Sequence, residues 1–303
     1  MIAELISVGT ELLLGNTMNT NSNYLAKKCA QIGVSNFYQI TVGDNEDRLF
    51  QVIKTALSRS DILIITGGLG PTQDDITKEI TAKVLKKELM EDKEVRANIE
   101  EYFRQTKREV IPENNWKQSM IIEGSTVIEN KNGTAPGLMV TTKEDQLVFL
   151  LPGPPRELIP MFEESVLPYL SSSLSGTFYS KTVKVCGLGE SLAETMIGDL
   201  IEKQTNPTIA PYAKIGEVHF RVTASAKSEE EGKKLVEPIL AEINKRFGDH
   251  VFTDKEEENL EDVVVDLLSK HKLTLVTAES CSGGLLSGKI INVPGVSKVF
   301  DEG

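Results

Sequence analysis

The sequence contains few of the residues that build disulfide frameworks and zinc sites. It has three cysteines and three histidines in 303 residues. The cysteines lie far apart and form no CxxC pair, which argues against both disulfide bonds and a structural zinc ion. The histidines show neither metal-ligand spacing nor a visible pairing with a nucleophilic serine, so we interpret them as structural. These residues are Cys29, Cys186, Cys281, His219, His250 and His271.

Long apolar segments and an excess of positive charge are also missing. No run approaches the roughly 18 apolar residues of a membrane span, and residues 1–5 lack the basic start of a signal peptide. We therefore expect a cytoplasmic protein that does not contact membranes. The formal net charge of -12 repels a nucleic-acid backbone, and we find no local basic patch, so we expect no nucleic-acid partner. The single tryptophan, Trp116, is interpreted as packing rather than as a base-stacking platform.

Strands and helices alternate through the first half of the chain. The apolar run Ile2–Val8 predicts a strand, and a helix follows in which Leu25 and Cys29 share one face and Gly33 marks the end. Residues 62–65 are apolar and mostly β-branched and are followed by a pair of glycines, as in a buried parallel strand. This order predicts an α/β domain with a doubly wound, mainly parallel sheet, whose ligands bind beyond the carboxyl ends of the strands.

The order of elements divides the chain into three predicted domains. The first spans residues 1–170 and is followed by a serine-rich linker at 171–176. Residues 171–254 show the order βαββαβ of an α+β domain. Residues 255–303 begin another α/β domain, and we expect it to be truncated because about 45 residues are too few to close a core of their own.

The strongest functional motif is TGGLGPTQDDIT at residues 66–77, between the buried strand and a helix. Its glycines allow close approach of a phosphate, and its threonines can donate hydroxyl hydrogen bonds. Two adjacent aspartates in an anion site imply a bridging divalent cation, Mg²⁺ or Co²⁺/Mn²⁺. The alternative is that Asp74 caps the helix and Asp75 favours its first turn. The predicted phosphate-binding residues are Gly67, Gly68, Gly70, Thr72 and Thr77.

Three further segments are expected to reach the same edge of the sheet. Glycine- and proline-rich turns occupy residues 132–137 and 151–157, although each alone is typical of an ordinary tight turn. The first strand leads into Thr10, a predicted substrate-binding residue, and Glu11, which is either a catalytic base or a solvated acid. The predicted substrate-binding residues of the two turns are Asn132, Gly133, Thr134, Pro152 and Gly153.

The βαββαβ domain does not carry the features of an RNA-binding KH module. That use requires a GXXG clamp, and Gly187-Leu188-Gly189-Glu190 has a different spacing. Residues 171–250 contain 10 Lys plus Arg and 11 Asp plus Glu, which gives a net charge of -1. We interpret the domain as a spacer or an interface.

Five motifs occur in a fixed order: GTELLLG (9–15), GGLGPTQDD (67–75), NGTAPG (132–137), LPGPPRE (151–157) and TAESCSGG (277–284). In this order they resemble the CinA family of competence/damage-inducible proteins over essentially the whole chain. The resemblance implies a first domain similar to the molybdopterin-binding MoaB/MogA proteins, a KH-like middle domain and a C-terminal nicotinamide-mononucleotide (NMN) deamidase domain. For the first domain it implies metal-dependent hydrolysis of ADP-ribose to AMP and ribose 5-phosphate, commonly in a homodimer.

The same resemblance makes Ser280 the expected nucleophile of the third domain. The family usually has Thr where this chain has Ser282, and it places a further tyrosine-containing motif downstream of Gly303. Ser280 precedes Gly283 and a predicted helix, so its hydroxyl is expected at a helix N-terminus, as either a nucleophile or an ordinary cap. The nearby candidate bases are two lysines, and we expect this chain not to deamidate NMN. These lysines are Lys289 and Lys298.

Three functions remain open for the first domain. In the leading hypothesis, Asp74 and Asp75 hold the cation while Thr72 and the backbone of 67–70 bind a pyrophosphate for hydrolysis. A molybdopterin-type binding or nucleotidyl-transfer protein would use the same loop. A non-enzymatic nucleotide sensor would also use it, because fold and phosphate loop are shared across functions.

Overall fold

The computed structural model describes residues 1–106, 110–173 and 177–302. The chain forms two compact units, residues 1–175 and residues 176–303. Within the described residues, no helix combines the length and apolar character needed to cross a membrane.

The first unit alternates strands and helices as predicted. Its elements are β1 (Ile2–Val8), α1 (Thr10–Leu13), α2 (Thr20–Gln31), β2 (Ser35–Val42), α3 (Glu46–Leu57), β3 (Ile62–Thr66), α4 (Thr77–Leu85), β4 (Leu89–Glu91), α5 (Lys93–Gln105), a 3-10 helix (Glu113–Ser119), β5 (Met120–Ile122), β6 (Thr126–Ile128), β7 (Gly137–Thr141), β8 (Leu147–Leu151), α6 (Pro155–Met161), a π-helical turn (Phe162–Val166) and α7 (Leu167–Ser173).

The main sheet has the strand order β2-β1-β3-β8-β7-β6. Strands β2, β1, β3 and β8 run parallel, and β7 and β6 continue the sheet in antiparallel fashion. All five residues of β3 are buried, because helices cover both faces of the sheet. The predicted doubly wound, mainly parallel sheet is therefore confirmed. Its carboxyl edge carries the loops after β1, β3 and β8.

Asparagine side chains fix the starts of two helices at that edge. Asn19 accepts a hydrogen bond from Ser22 N at the start of α2, and Asn45 accepts one from Arg48 N at the start of α3. Each bond satisfies a backbone amide that has no partner within its own helix. The chain therefore enters both helices in a fixed direction as it leaves the edge of the sheet.

The second unit confirms the predicted βαββαβ order. Its elements are β9 (Thr177–Cys186), α8 (Glu190–Met196), α9 (Gly198–Glu202), β10 (Thr208–Lys214), β11 (Glu217–Ala226), α10 (Glu229–Phe247), a 3-10 turn (Gly248–His250), β12 (Val251–Thr253), α11 (Leu260–His271), β13 (Leu275–Val276), α12 (Leu285–Ile291), a 3-10 turn (Val296–Lys298) and β14 (Phe300–Glu302). An antiparallel sheet of order β10-β11-β9-β12 packs against α10, and β13 and β14 form a separate parallel pair.

The predicted serine-rich linker is wrong for residues 171–173. These serines belong to α7, and their hydroxyls donate to backbone carbonyls one turn earlier; Ser171 Oγ, for example, donates to Leu167 O at 2.7 Å. Serine can bond back to its own helix in this way, so its presence does not by itself end a helix. The remainder of the predicted linker, 174–176, lies outside the described residues.

Three of the residues interpreted as structural pack into the fold, whereas His250 and His271 are exposed. Trp116 packs against the apolar core on one face of the main sheet, with the Arg96 guanidinium 4.0 Å from its ring centroid. Cys29 is fully buried on α2, and burial raises the pKa of its thiol to about 12. His219 lies in β11, where its Nε2 is 2.7 Å from Glu217 Oε2.

Candidate functional site

A cleft of about 780 Å³ lies at the carboxyl ends of the central strands. The loops after β1, β3 and β8 line it, together with the loop that precedes β7. This is the position at which open α/β sheets bind their ligands. The structure brings these predicted residues together there: Glu11, Gly67, Gly68, Gly70, Thr72, Asp74, Asp75, Gly133, Thr134, Pro152 and Gly153.

The first two glycines of the motif are required because the loop packs closely against β1 and against the start of α4. Gly67 has φ of +93°, and a Cβ at this position would lie 2.2 Å from Val8 O. Gly68 has φ of +67°, and a Cβ there would lie 2.2 Å from Thr77 Oγ1. Only glycine fits both the backbone conformation and the space. The loop therefore packs directly against the end of β1.

The side chain of Thr77 is hydrogen-bonded to the backbone of this loop and does not face the cleft. Its side chain is fully buried, and its hydroxyl donates a hydrogen bond of 2.8 Å to Gly67 O. The prediction that Thr77 binds a phosphate is wrong, because a buried and bonded hydroxyl is not accessible to a ligand. The sequence pattern could not separate this role from binding, since both place a hydroxyl at the start of α4.

Asp75 orders the loop through Thr72. Its Oδ2 accepts from Thr72 N at 2.9 Å and from Thr72 Oγ1 at 2.6 Å. Both donor groups of Thr72 are therefore bonded within the loop, contrary to the prediction that they bind a phosphate. The N-cap position of α4 is Ile76, and no side chain caps the helix there. The capping alternative for the two aspartates is therefore wrong: Asp75 bonds backwards across the turn, and the side chain of Asp74 is exposed at the cleft.

Thr10 pairs with an acidic residue that the sequence analysis missed. Thr10 N and Oγ1 both donate to Asp44 Oδ2, at 2.9 and 2.8 Å. These bonds join the loop after β1 to the loop after β2. Thr10 does not line the cleft, so its predicted contact with the substrate is wrong, whereas Asp44 does line the cleft. Glu11 also lines the cleft, and its carboxylate lies over Gly9, where a Cβ would approach Oε1 to 2.5 Å. The sequence did contain a signal for Asp44, because it lies in the turn directly after β2, at the carboxyl edge of the sheet.

The loop before β7 is tied to the start of α6. Asn130 Nδ2 donates to Glu157 Oε2 and to Ala135 O, both at 2.8 Å. Asn132 Nδ2 donates to Arg156 O at 3.2 Å, so Asn132 joins the two segments. Contrary to the prediction, it does not line the cleft. Glu157 is only 8% exposed and lines the cleft, although the sequence analysis did not select it.

The cleft lining is predominantly acidic. Among its described residues, five are carboxylates and one, Arg156, is a permanent cation. Within the described parts of the chain, no three Asp, Glu, His or Cys side chains are grouped so as to hold a metal ion by themselves. Asp74 and Asp75 are thus a pair of carboxylates rather than a complete cage. The carboxylates are Glu11, Asp44, Asp74, Asp75 and Glu157.

Ser280 does not occupy the N-terminus of α12. The carboxylate of Glu279 does so instead, accepting from Leu286 N at 2.9 Å and from Ser287 N at 2.8 Å. Together with the hydroxyls of Ser282 and Ser287, these donors lower the pKa of Glu279 to about 2. Ser280 itself is exposed, and its hydroxyl lies 3.8 Å from Cys281 Sγ. The predicted placement of this serine is therefore wrong.

Comparison with known proteins assigns each part of the chain to a family model. Residues 4–172 match a probable molybdopterin binding domain, residues 180–253 match the KH domain of damage-inducible protein CinA, and residues 257–303 match the CinA C-terminal domain. The first match confirms the predicted molybdopterin-binding type of fold, and the second confirms the KH-like character of the middle segment.

Similar proteins cover nearly the whole chain. A CinA-like protein of Dictyoglomus turgidum is 52% identical over 300 residues, which are 99% of this chain and 72% of that protein. A putative competence-damage inducible protein of Clostridium beijerinckii is 51% identical over 303 residues, which are 100% of this chain and 73% of that protein. The crystal structure of the protein CinA from Thermoplasma acidophilum shares 32% identity with this chain at a TM-score of 0.50, over 55% of this chain and 97% of that chain. The chain belongs to the CinA family.

Proposed function

We propose that the cleft of the first unit binds a nucleotide diphosphate ester and hydrolyses its pyrophosphate bond, with ADP-ribose as the substrate. The observation that carries this proposal is the meeting of three strand-end loops around one cleft of about 780 Å³. A volume of roughly 300–1,000 Å³ suits a ligand of this size. The glycine-rich loop of residues 67–70 would donate backbone N–H groups to the phosphates.

A divalent cation, Mg²⁺ or Co²⁺/Mn²⁺, is proposed to enter with the substrate. The acidic lining would repel a bare diphosphate, since five carboxylates face one guanidinium among the described residues. Mg²⁺ commonly uses one or two protein carboxylates together with substrate phosphates, so the pair Asp74 and Asp75 fits without a third protein ligand. When bound there, the ion would neutralise phosphate charge and polarise a phosphoryl oxygen.

The residues of this chain then have distinct roles in the proposed reaction. Thr72 orients the Asp75 carboxylate through its two hydrogen bonds. Glu11 accepts the proton of the water whose oxygen attacks a phosphorus atom of the pyrophosphate. The bridging P–O bond breaks with its electron pair leaving on the other phosphate, beside Arg156, which yields AMP and ribose 5-phosphate.

The test is incubation of the 303-residue chain with ADP-ribose and Mg²⁺, Mn²⁺ or Co²⁺, followed by chromatographic measurement of AMP. We expect AMP with metal and none with EDTA, and we expect a loss of at least about tenfold in the Glu11→Gln variant. If no metal supports AMP release, the hydrolase proposal fails. Tight binding of a molybdopterin analogue without turnover would instead favour a binding function.

A further inference from the structure

Lys78 is a buried cation in the first turn of α4, directly after the loop of residues 67–75. Its side chain is 1% exposed. Its Nζ donates to three backbone carbonyls, those of Lys117 at 2.9 Å, Gln118 at 3.2 Å and Met120 at 2.7 Å. An ammonium has three protons, so each proton has an acceptor. All three acceptors lie at the end of the 3-10 helix and the start of β5.

Side chains of that 3-10 helix bond in the opposite direction, onto the loop. Lys117 Nζ donates to Thr72 O at 2.9 Å and to Asp75 O. Gln118 Nε2 donates to Leu69 O at 3.3 Å. The loop and the 3-10 helix are thus joined reciprocally, and the two carbonyls that Lys117 holds lie on either side of Asp74.

Packing alone gives no reason for a lysine at position 78. Burial disfavours the charged ammonium and lowers the pKa of Lys78 to about 8, while the neighbouring Glu79 and Asp75 act in the opposite direction. An apolar side chain of similar volume would fill the space without this desolvation cost. Three carbonyl acceptors from one segment identify what the charge does there: it fixes the position of that segment.

We propose that Lys78 and Lys117 form a lysine clamp that positions the loop of residues 67–75, and that Lys78 is a positioning residue of the candidate site. Lys78 touches neither the substrate nor the reacting atoms. It fixes the carbonyl-bearing segment 117–120, and Lys117 transfers this constraint to the backbone around Asp74. The catalytic part of this inference rests on the proposed function, whereas the positioning of the loop does not.

The positioning is tested by hydrogen–deuterium exchange of the whole chain. In Lys78→Met we expect the backbone amides of residues 68–70 and 72–76 to exchange at least about tenfold faster than in the wild type, with exchange in β8 unchanged. The matched control is Lys83→Met on the same helix, because Lys83 is 59% exposed and pairs with Glu46. Unchanged exchange of the loop in Lys78→Met would overturn the clamp.

The catalytic role is tested with the same variants. For ADP-ribose hydrolysis by Lys78→Met we expect the half-saturating Mg²⁺ concentration to rise and kcat to fall, each at least about fivefold, because a misplaced loop misplaces both aspartates. Lys117→Met should act in the same direction, and because Lys117 is 25% exposed it serves if Lys78→Met does not fold.

The activity of a double variant shows whether Lys78 and Lys117 act together or independently. If both lysines act through the same contact, the loss in Lys78→Met/Lys117→Met is clearly smaller than the product of the single losses. A fully multiplicative loss would overturn the clamp. An inactive wild type would defeat the proposed function alone, since the exchange measurement would still decide the clamp.

Discussion

Asp75 combines two properties that a single substitution can separate. Its Oδ2 accepts two hydrogen bonds from Thr72, and these hold the turn that follows the glycines. Its negative charge is the property that a cation requires. Asparagine keeps a carbonyl oxygen for the turn and removes the charge, so it distinguishes a structural aspartate from a metal ligand.

We expect Asp75→Asn to reduce metal-stimulated AMP release by at least about tenfold while changing the free energy of unfolding by no more than about 1 kcal/mol. AMP release and urea denaturation measure the two effects. The matched control is Asp47→Asn, because Asp47 is exposed in the first turn of α3 and does not line the cleft. Full turnover in both Asp75→Asn and Asp74→Asn would show that neither carboxylate binds a required metal.

Lys78 predicts a pH dependence of stability. Burial lowers its pKa from the ordinary 10.5 to about 8 in the folded protein, where Glu79, Asp75 and Lys117 are the charged groups around it. The unfolded chain therefore binds a proton between pH 8 and 10.5 that the folded chain does not, so stability rises with pH in this window. The full effect is on the order of 3 kcal/mol.

The measurement is the difference in unfolding free energy between the wild type and Lys78→Met, at pH 7 and again at pH 10. Other titrating groups are common to both proteins and cancel in this difference. We expect the difference to move in favour of the wild type at the higher pH. A difference that is constant with pH would mean that the pKa of Lys78 is the same in the folded and the unfolded chain, so that burial does not lower it.

At the scale of elements, the sequence predicted strands best where apolar runs were short and bounded. β3 illustrates this, because its run of four apolar residues predicted a buried strand and all five of its residues are buried. The serines at 171–173 led to a wrong prediction. Their composition suggests a linker, but their hydroxyls donate to backbone carbonyls of α7 itself. Propensity describes a residue alone, whereas the bonds that it makes depend on the element around it.

The contact between the glycine loop and the end of β1 yields a stability prediction. We expect Gly67→Ala to cost about 3 kcal/mol, because its Cβ would lie 2.2 Å from Val8 O in a left-handed conformation. Gly15→Ala is the matched control: Gly15 has φ of +74° but open space around its Cβ position, so only the backbone cost of about 1 kcal/mol applies. Equal losses in thermal or urea unfolding would show that the loop moves away from β1 freely.

At the scale of the molecule, the position of the site was predictable and its internal bonds were not. Parallel strands bring their carboxyl ends to one edge, so the loops after β1, β3 and β8 had to meet. The pairing of Thr10 with Asp44 spans 34 residues and that of Asn130 with Glu157 spans 27. Such pairs depend on strand order and register, which local sequence patterns do not contain. For this reason Asp44, Glu157 and the lysine clamp emerged only from the structure.

The division into two units makes the location of the proposed activity testable. Every described residue that lines the cleft lies between Val8 and Glu157. The apolar cores on the two faces of the main sheet contain no residue after Leu170. A fragment of residues 1–173 should therefore fold by itself and release AMP from ADP-ribose at a rate within about threefold of the full chain. Circular dichroism and AMP chromatography on the fragment and the full chain provide the comparison. A folded but inactive fragment beside an active full chain would mean that residues after 173 complete the site.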